Sequence, residues 1–275
     1  MDSIVGTKSY TAVAVNCASK AGEWIKSRIG RFAEPDLKYS MHDLVTEVDK
    51  GSERLIRNLI ATHFPQHSFL GEEGVEPGPE ASVRALEEAG RAEYLWIVDP
   101  IDGTTNFVHG FPFFSVSIAL AHKGQVIVGV VYDPSKDEMF VAERGKGAYV
   151  PGKLMKASKE KALRQSLVAT GFPADHQAAL PLNLRQIQAV APQVRNIRTA
   201  GSAALHMAYV AAGRLSGFWE IGLNSWDLAA GALLVEEAGG RVTDLQGEPY
   251  HLGVRNVVAS NGAVHGELLK ALELK

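Results

Sequence analysis

Two aspartates three residues apart, Asp99 and Asp102, close an apolar run from Tyr94 to Val98. Gly103, Thr104, Thr105, Asn106 and Phe107 follow them. A buried strand that ends in two carboxylates concentrates negative charge at a sheet edge, and that charge needs compensation. Carboxylate oxygens are preferred ligands of hard divalent cations such as Mg²⁺. Pro100 and Gly103 stiffen and turn the loop between the acids. Gly103 lets the backbone approach an anion closely, and N–H groups after it can point at a phosphate if a helical turn starts there. With a hydroxyl at Thr104, the stretch points to metal-assisted phosphoryl chemistry. A plainer reading competes: Asp-Pro and Asp-Gly are ordinary turn pairs, and an Asp after a strand can simply cap a helix.

Further acids recur where they could join such a site. Asp43 to Asp49, with Thr46 and Glu47 between, opens a helix-period segment. Gly71-Glu72-Glu73-Gly74 follows a short apolar run, and Asn224-Ser225-Trp226-Asp227 opens an otherwise apolar one. Singly, Asp49 and Asp227 are explained by the favourable meeting of acids with helix N-termini. Their combination with Asp99 and Asp102 favours a shared site.

These acids need a scaffold, and 275 residues with 46% hydrophobic content can bury a substantial core. The net charge of −3 gives no case for a broad nucleic-acid-binding face, although a small cationic patch is compatible with it. The single cysteine, Cys17, lies on a helix-period stripe with Val13, Ala14, Ala21 and Ile25, which implies packing. One cysteine excludes an intrachain disulfide and a cysteine zinc cluster. The nine histidines form no zinc pair at helical spacing. The sequence shows no secretory pattern and no apolar run of membrane-spanning length, so a cytoplasmic location is expected.

Helices are expected over Lys8 to Ile29 and Glu47 to Phe64, with a surface insertion at 76–92 holding a short helix. Strands are expected at 113–121, 125–132 and 138–143, joined by turn signals. From Pro151-Gly152-Lys153 onward, strand and helix patterns alternate up to a closing helix at 262–272. The expected organisation is residues 1–150 as an antiparallel-rich α+β half carrying metal loops, and 151–275 as an α/β half completing the site.

The stretch Trp96-Ile97-Val98-Asp99-Pro100-Ile101-Asp102-Gly103-Thr104-Thr105-Asn106-Phe107-Val108-His109 resembles a signature of the inositol monophosphatase family. Trp226-Asp227-Leu228-Ala229-Ala230-Gly231, Asp43 to Asp49, Gly71-Glu72-Glu73 and Gly201-Ser202-Ala203-Ala204 stand in the family's order, and the likeness runs from about Tyr10 to Leu269. The resemblance implies a layered αβαβα sandwich of the sugar-phosphatase type (α/β, or α+β), a Mg²⁺-dependent and lithium-sensitive phosphatase, and a homodimer; the acidic net charge argues against direct nucleic-acid contact.

It also implies roles. Glu72, Asp99 and the Ile101 carbonyl would hold one Mg²⁺. Asp99, Asp102 and Asp227 would hold a second, and a third, weaker ion would sit mainly on Glu72. Thr104 would orient the attacking water, with Asp49 behind it as the end of the proton relay. Gly103 and Thr104 N–H groups and Lys38 would receive the phosphate. Glu220, Asp102, Asp227 and the backbone at Ala203 would meet a polyol. Inositol phosphate is the leading substrate. Fructose bisphosphate, NADP, histidinol phosphate and a 3′-phosphonucleotide are alternatives within the same chemistry, and a protein-binding role in RNA synthesis or ribosome biogenesis is a separate one. Asn224 departs from the family, because animal members often carry histidine there, and the 76–92 insertion is longer than in the shortest members. Both departures bear on substrate preference rather than on metal chemistry.

Overall fold

The computed structural model describes residues 9–30, 36–37, 44–172 and 179–273; Lys38 and Asp43 lie outside them. Helix α1, Tyr10–Lys26, starts where the Ser9 hydroxyl accepts the Ala12 N–H at 3.1 Å. Its expected stripe is buried, and burial pushes the Cys17 thiol up to about 12, so the residue packs and does not react. A two-residue pair, β1 (Asp36–Leu37) with β2 (Leu44–Val45), precedes α2, Glu47–His63. Next come β3 (Ser68–Gly71), a 3₁₀ turn at Glu72–Gly74, α3 (Pro79–Ala89) and β4 (Tyr94–Asp102). The short α4 (Thr104–Val108) leads to β5 (Ser115–His122), β6 (Gln125–Asp133), β7 (Glu138–Glu143), β8 (Gly147–Val150) and β9 (Lys153–Leu154). The remainder alternates: β10 (Leu167–Thr170), α5 (Leu180–Val190), β11 (Asn196–Arg198), α6 (Ala203–Ala211), β12 (Gly217–Glu220) and α7 (Ser225–Glu237). It closes with β13 (Arg241–Asp244), β14 (Val257–Ser260) and α8 (His265–Leu272).

Strands β3 to β9 form one sheet in sequence order, with β3–β4 parallel and the other pairs antiparallel. The second sheet has the order β11-β10-β12-β14-β13, its first three strands parallel. Helices α1 and α2 pack on the outer face of the first sheet over a core that includes Ile56, Trp96, Ile118 and Val130. Helices α6 and α7 lie between the sheets, and their near-continuous apolar sequence fits burial on all sides. Helices α5 and α8 cover the outer face of the second sheet around Val168, Trp219 and Leu268. The result is the expected αβαβα sandwich. Among the described residues no helix is long and apolar enough to cross a membrane.

Candidate active site

In a regular strand, residues three apart face opposite sides of the sheet. Asp99 pairs with Ser117 and Asp102 with Ser115, so β4 holds one residue more than β5 over this interval, and the register shifts. Such a bulge re-aims side chains, and here it lets the two acids converge. Asp102 meets the N-terminus of α6, where it accepts from the Ser202 hydroxyl, the Ala204 N–H at 2.8 Å and the Ala203 N–H at 3.3 Å. Asp227 lies in the first turn of α7 and accepts the Asn224 N–H at 2.6 Å. Two helix N-termini therefore face the cluster with partial positive charge. One carboxylate oxygen from each of Asp99, Asp102 and Asp227 lies within 4.8 Å of the others.

That convergence is electrostatically costly for protein alone. Burial first, then the fields of Glu72, Asp102 and Asp227, holds the Asp99 carboxyl well above its ordinary range, and a hydrogen bond with Glu72 raises it further. Burial brings Asp102 to about 6 against the lowering effect of its Ser202 and backbone donors. Asp227 is held well above the usual range by burial, Glu72 and Asp102, and is eased down by the Asn224 N–H and Arg255. The donor set is all carboxylate oxygen, as hard divalent cations prefer, and its members repel one another until a cation intervenes. The residues present therefore fit Mg²⁺.

Asp49, only 1% exposed, belongs to the capping box of α2 and accepts the Thr46 N–H at 2.9 Å together with the Thr46 hydroxyl. Its other oxygen accepts the Thr104 hydroxyl at 2.9 Å. The Ile101 carbonyl lies 3.0 Å from that same hydroxyl, whose single proton serves one acceptor at a time. Burial, and next the field of Glu72, raises the proton affinity of Asp49 against the Thr46 and Thr104 donors.

Gly103 has φ 98°, and a Cβ there would lie 2.9 Å from the Gly201 carbonyl oxygen, so the turn into α4 requires glycine. Glu72 follows β3 on a turn pinned by Glu53, which accepts the Glu73 N–H at 2.8 Å. Glu220 ends β12 with 7% exposure, and burial, then Asp102 and Asp227, raises its carboxyl well above the ordinary value. Ala203 stands beside the site with its N–H directed at Asp102. Lys38 falls outside the described residues.

Ser202, Thr46 and Asn106 lie inside the sequence motifs, but spacing alone assigns them no task. The Asn106 amide donates to both the Phe113 and Ala200 carbonyls at 2.6 Å, joining the loop after α4 to the one before α6. The available signal is a small polar residue beside a glycine turn: Ser202 after Gly201, and Asn106 three positions after Gly103.

The inositol monophosphatase family model matches residues 7–274, and the chain belongs to that family. It is 42% identical over 269 residues to a Nus factor SuhB of Pseudomonas aeruginosa, covering 95% of this chain and 94% of the relative. It is also 42% identical over 268 residues to inositol monophosphatase 2 of Solanum lycopersicum, covering 96% and 98%. Among solved structures, an IMPase of Thermotoga maritima superposes with a TM-score of 0.83 at 36% identity, covering 95% of each chain. The family uses Mg²⁺ and acts on small phosphate monoesters, and membership of it implies the class of phosphoric monoester hydrolase.

Proposed function

We propose that the chain is a Mg²⁺-dependent phosphomonoesterase that hydrolyses inositol monophosphate. The observation that carries this reading is the convergence of Asp99, Asp102 and Asp227 beside a Thr104 hydroxyl bonded to Asp49. In this reading Glu72, Asp99 and the Ile101 carbonyl would hold one ion, Asp99, Asp102 and Asp227 would hold a second, and Glu72 would hold a third. When bound, Mg²⁺ supplies Lewis acidity that makes water nucleophilic near neutral pH and offsets charge on the phosphoryl group. Thr104 gives its proton to Asp49 and turns a lone pair toward the attacking water. Asp49 takes up the proton that the hydroxyl relays, a role suited to its raised proton affinity. As the water oxygen bonds to phosphorus, its proton passes to Thr104 Oγ, whose own goes to Asp49; the bond to the polyol oxygen breaks, and that oxygen leaves with the electron pair and takes a proton from solvent. N–H groups of Gly103 and Thr104, with Lys38, hold the phosphate; Glu220, Asp102, Asp227 and the backbone at Ala203 orient the ring.

A comparison of kcat/KM across inositol 1-phosphate, fructose 1,6-bisphosphate, NADP and histidinol phosphate at fixed Mg²⁺ tests this. Inositol 1-phosphate is expected to lead. A higher value on another compound reassigns the substrate, and no turnover of any of them removes the enzymatic reading. The relative named as a Nus factor motivates a second role through protein contacts in RNA synthesis. Asp99→Asn, inactive as an enzyme, should then still support the transcription phenotype of a deletion strain; loss of both together ties the phenotype to catalysis. The accompanying homodimer is checked by sedimentation, where a monomer at working concentration would remove it.

A further inference from the structure

The segment Ile221–Asn224 carries the chain from Glu220 at the end of β12 to Asp227 in α7, and four hydrogen bonds hold it to residues just before β14. The Leu223 N–H donates to the Arg255 carbonyl at 2.9 Å, and the Gly222 N–H donates to Asn256 Oδ1 at 3.0 Å. The Arg255 guanidinium donates through Nη2 to the Gly222 carbonyl at 3.2 Å and through Nη1 to Asn224 Oδ1 at 2.6 Å. Asn224 then donates its own N–H to Asp227 Oδ2 at 2.6 Å. The chain of contacts thus runs from a cation, through one amide residue, to a carboxylate of the acidic cluster.

Those two acceptors are neutral, which makes the choice of arginine informative. A neutral side-chain donor would satisfy a carbonyl and an amide oxygen without bringing a charge out of water. Burial in fact pushes the Arg255 pKa down, and the field of Asp227 is what opposes it. The planar fork also fixes which end of the Asn224 amide faces the guanidinium, and so fixes the residue that caps α7.

Building on the metal reading of Asp227 above, we propose that Arg255 is a positioning residue for the cation site, acting through Asn224 to hold the Asp227 carboxylate in place. The asparagine provides the oxygen that the guanidinium grips.

Calorimetric titration of Mg²⁺ into chelator-stripped protein tests this without relying on turnover. Arg255→Gln is expected to weaken Mg²⁺ binding by about tenfold, the size of one charge-assisted hydrogen bond. The Mg²⁺ concentration for half-maximal activity should rise in parallel, with KM for inositol 1-phosphate at saturating Mg²⁺ within about twofold. Arg255→Lys keeps the charge but loses the fork, and should fall between. Asn224→Ala cuts the same link from the other end and should reproduce the loss, which covers the case in which Arg255→Gln does not fold. Asn256→Ala removes the neighbouring bond to Gly222 and should leave Mg²⁺ affinity unchanged. Mg²⁺ affinity within twofold of wild type in folded Arg255→Gln or Asn224→Ala overturns the proposal. So does an Asn256→Ala loss as large as theirs, which would indicate general loosening of the loop. A deficit confined to fructose 1,6-bisphosphate would make Arg255 a substrate contact instead. Wild-type turnover without any divalent cation would sink the metal reading itself, a result separable from all of these.

Discussion

The Thr104 hydroxyl has one proton and two acceptors in reach, Asp49 Oδ1 at 2.9 Å and the Ile101 carbonyl at 3.0 Å. If catalysis uses the first, Thr104→Ala and Asp49→Asn should each lower kcat by ~100-fold or more, the range for general-base assistance. Mg²⁺ affinity should move much less, because Asp49 is bonded to Thr46 and Thr104 and is not among the converging trio. A calorimetric loss of Mg²⁺ binding in Asp49→Asn as large as in Asp227→Asn would place Asp49 among the ligands. Glu220 permits a different separation. Its carboxylate is buried with the fields of Asp102 and Asp227 upon it. Hydroxyl groups of a polyol would satisfy it. Glu220→Gln should therefore cost about 10-fold in kcat/KM on inositol 1-phosphate, roughly one charge-assisted bond, and spare p-nitrophenyl phosphate. Equal losses on both substrates would assign Glu220 to the fold or the ion site.

At the scale of elements, the site is made by terminations: the bulged end of β4, the start of α4, and the first turns of α2, α6 and α7. Gly103 is the tightest of these junctions. Gly103→Ala puts a Cβ at positive φ and 2.9 Å from a carbonyl oxygen. Urea unfolding should show a loss of about 2 kcal/mol or more, with kcat reduced because Thr104 is displaced. An unchanged urea midpoint would mean the turn relaxes freely. These junctions also explain what the sequence could reveal. Asp99 to Phe107 is contiguous, so strand end, turn and hydroxyl are legible together, and the apolar stripe of α1 and the apolar run of α7 announce their helices. Contacts across long separations are not legible: the Ser202 hydroxyl reaches Asp102 from 100 positions away, and Arg255 reaches Asn224 from 31. Two-residue strands such as β1, β2 and β9 offer too few side chains for any period, so 153–154 read as a connection although it pairs with β8.

At the scale of the whole molecule, two sets of buried ionisable groups act on stability with opposite sign. His206, pushed by burial to about 3, and His265, pushed by burial to about 4, are neutral in the folded protein. Unfolded histidine takes up protons near pH 6.5, so their contribution is complete above that pH and is lost as pH falls through it. The acids act the other way. Asp102 is raised to about 6, and Asp99, Asp227 and Glu220 well above their ordinary values, chiefly by burial. Unfolded carboxyls lose their protons near pH 4, so above that pH the metal-free fold binds more protons than the unfolded chain, and stability drops as pH rises through the folded values. Unfolded histidine is half-protonated at pH 6.5, so the histidines still oppose the acids there and drop out of the slope only about one pH unit higher. The metal-free fold accumulates ionised, mutually repelling carboxylates as pH rises, so the Tm of chelator-treated protein should fare worse between pH 6.5 and 8 than that of Mg²⁺-saturated protein. Saturating Mg²⁺ should raise Tm most at pH 8, because ions that bind only the folded state stabilise it and favour the ionised carboxylates. Ca²⁺, larger and less strict in geometry, should also raise Tm while failing to support turnover. Calorimetric scans at constant ionic strength, with chelator or with either cation, measure this directly. A Mg²⁺ increment in Tm no larger at pH 8 than at pH 6.5 would mean that the acidic cluster is not the group of carboxylates that cations relieve.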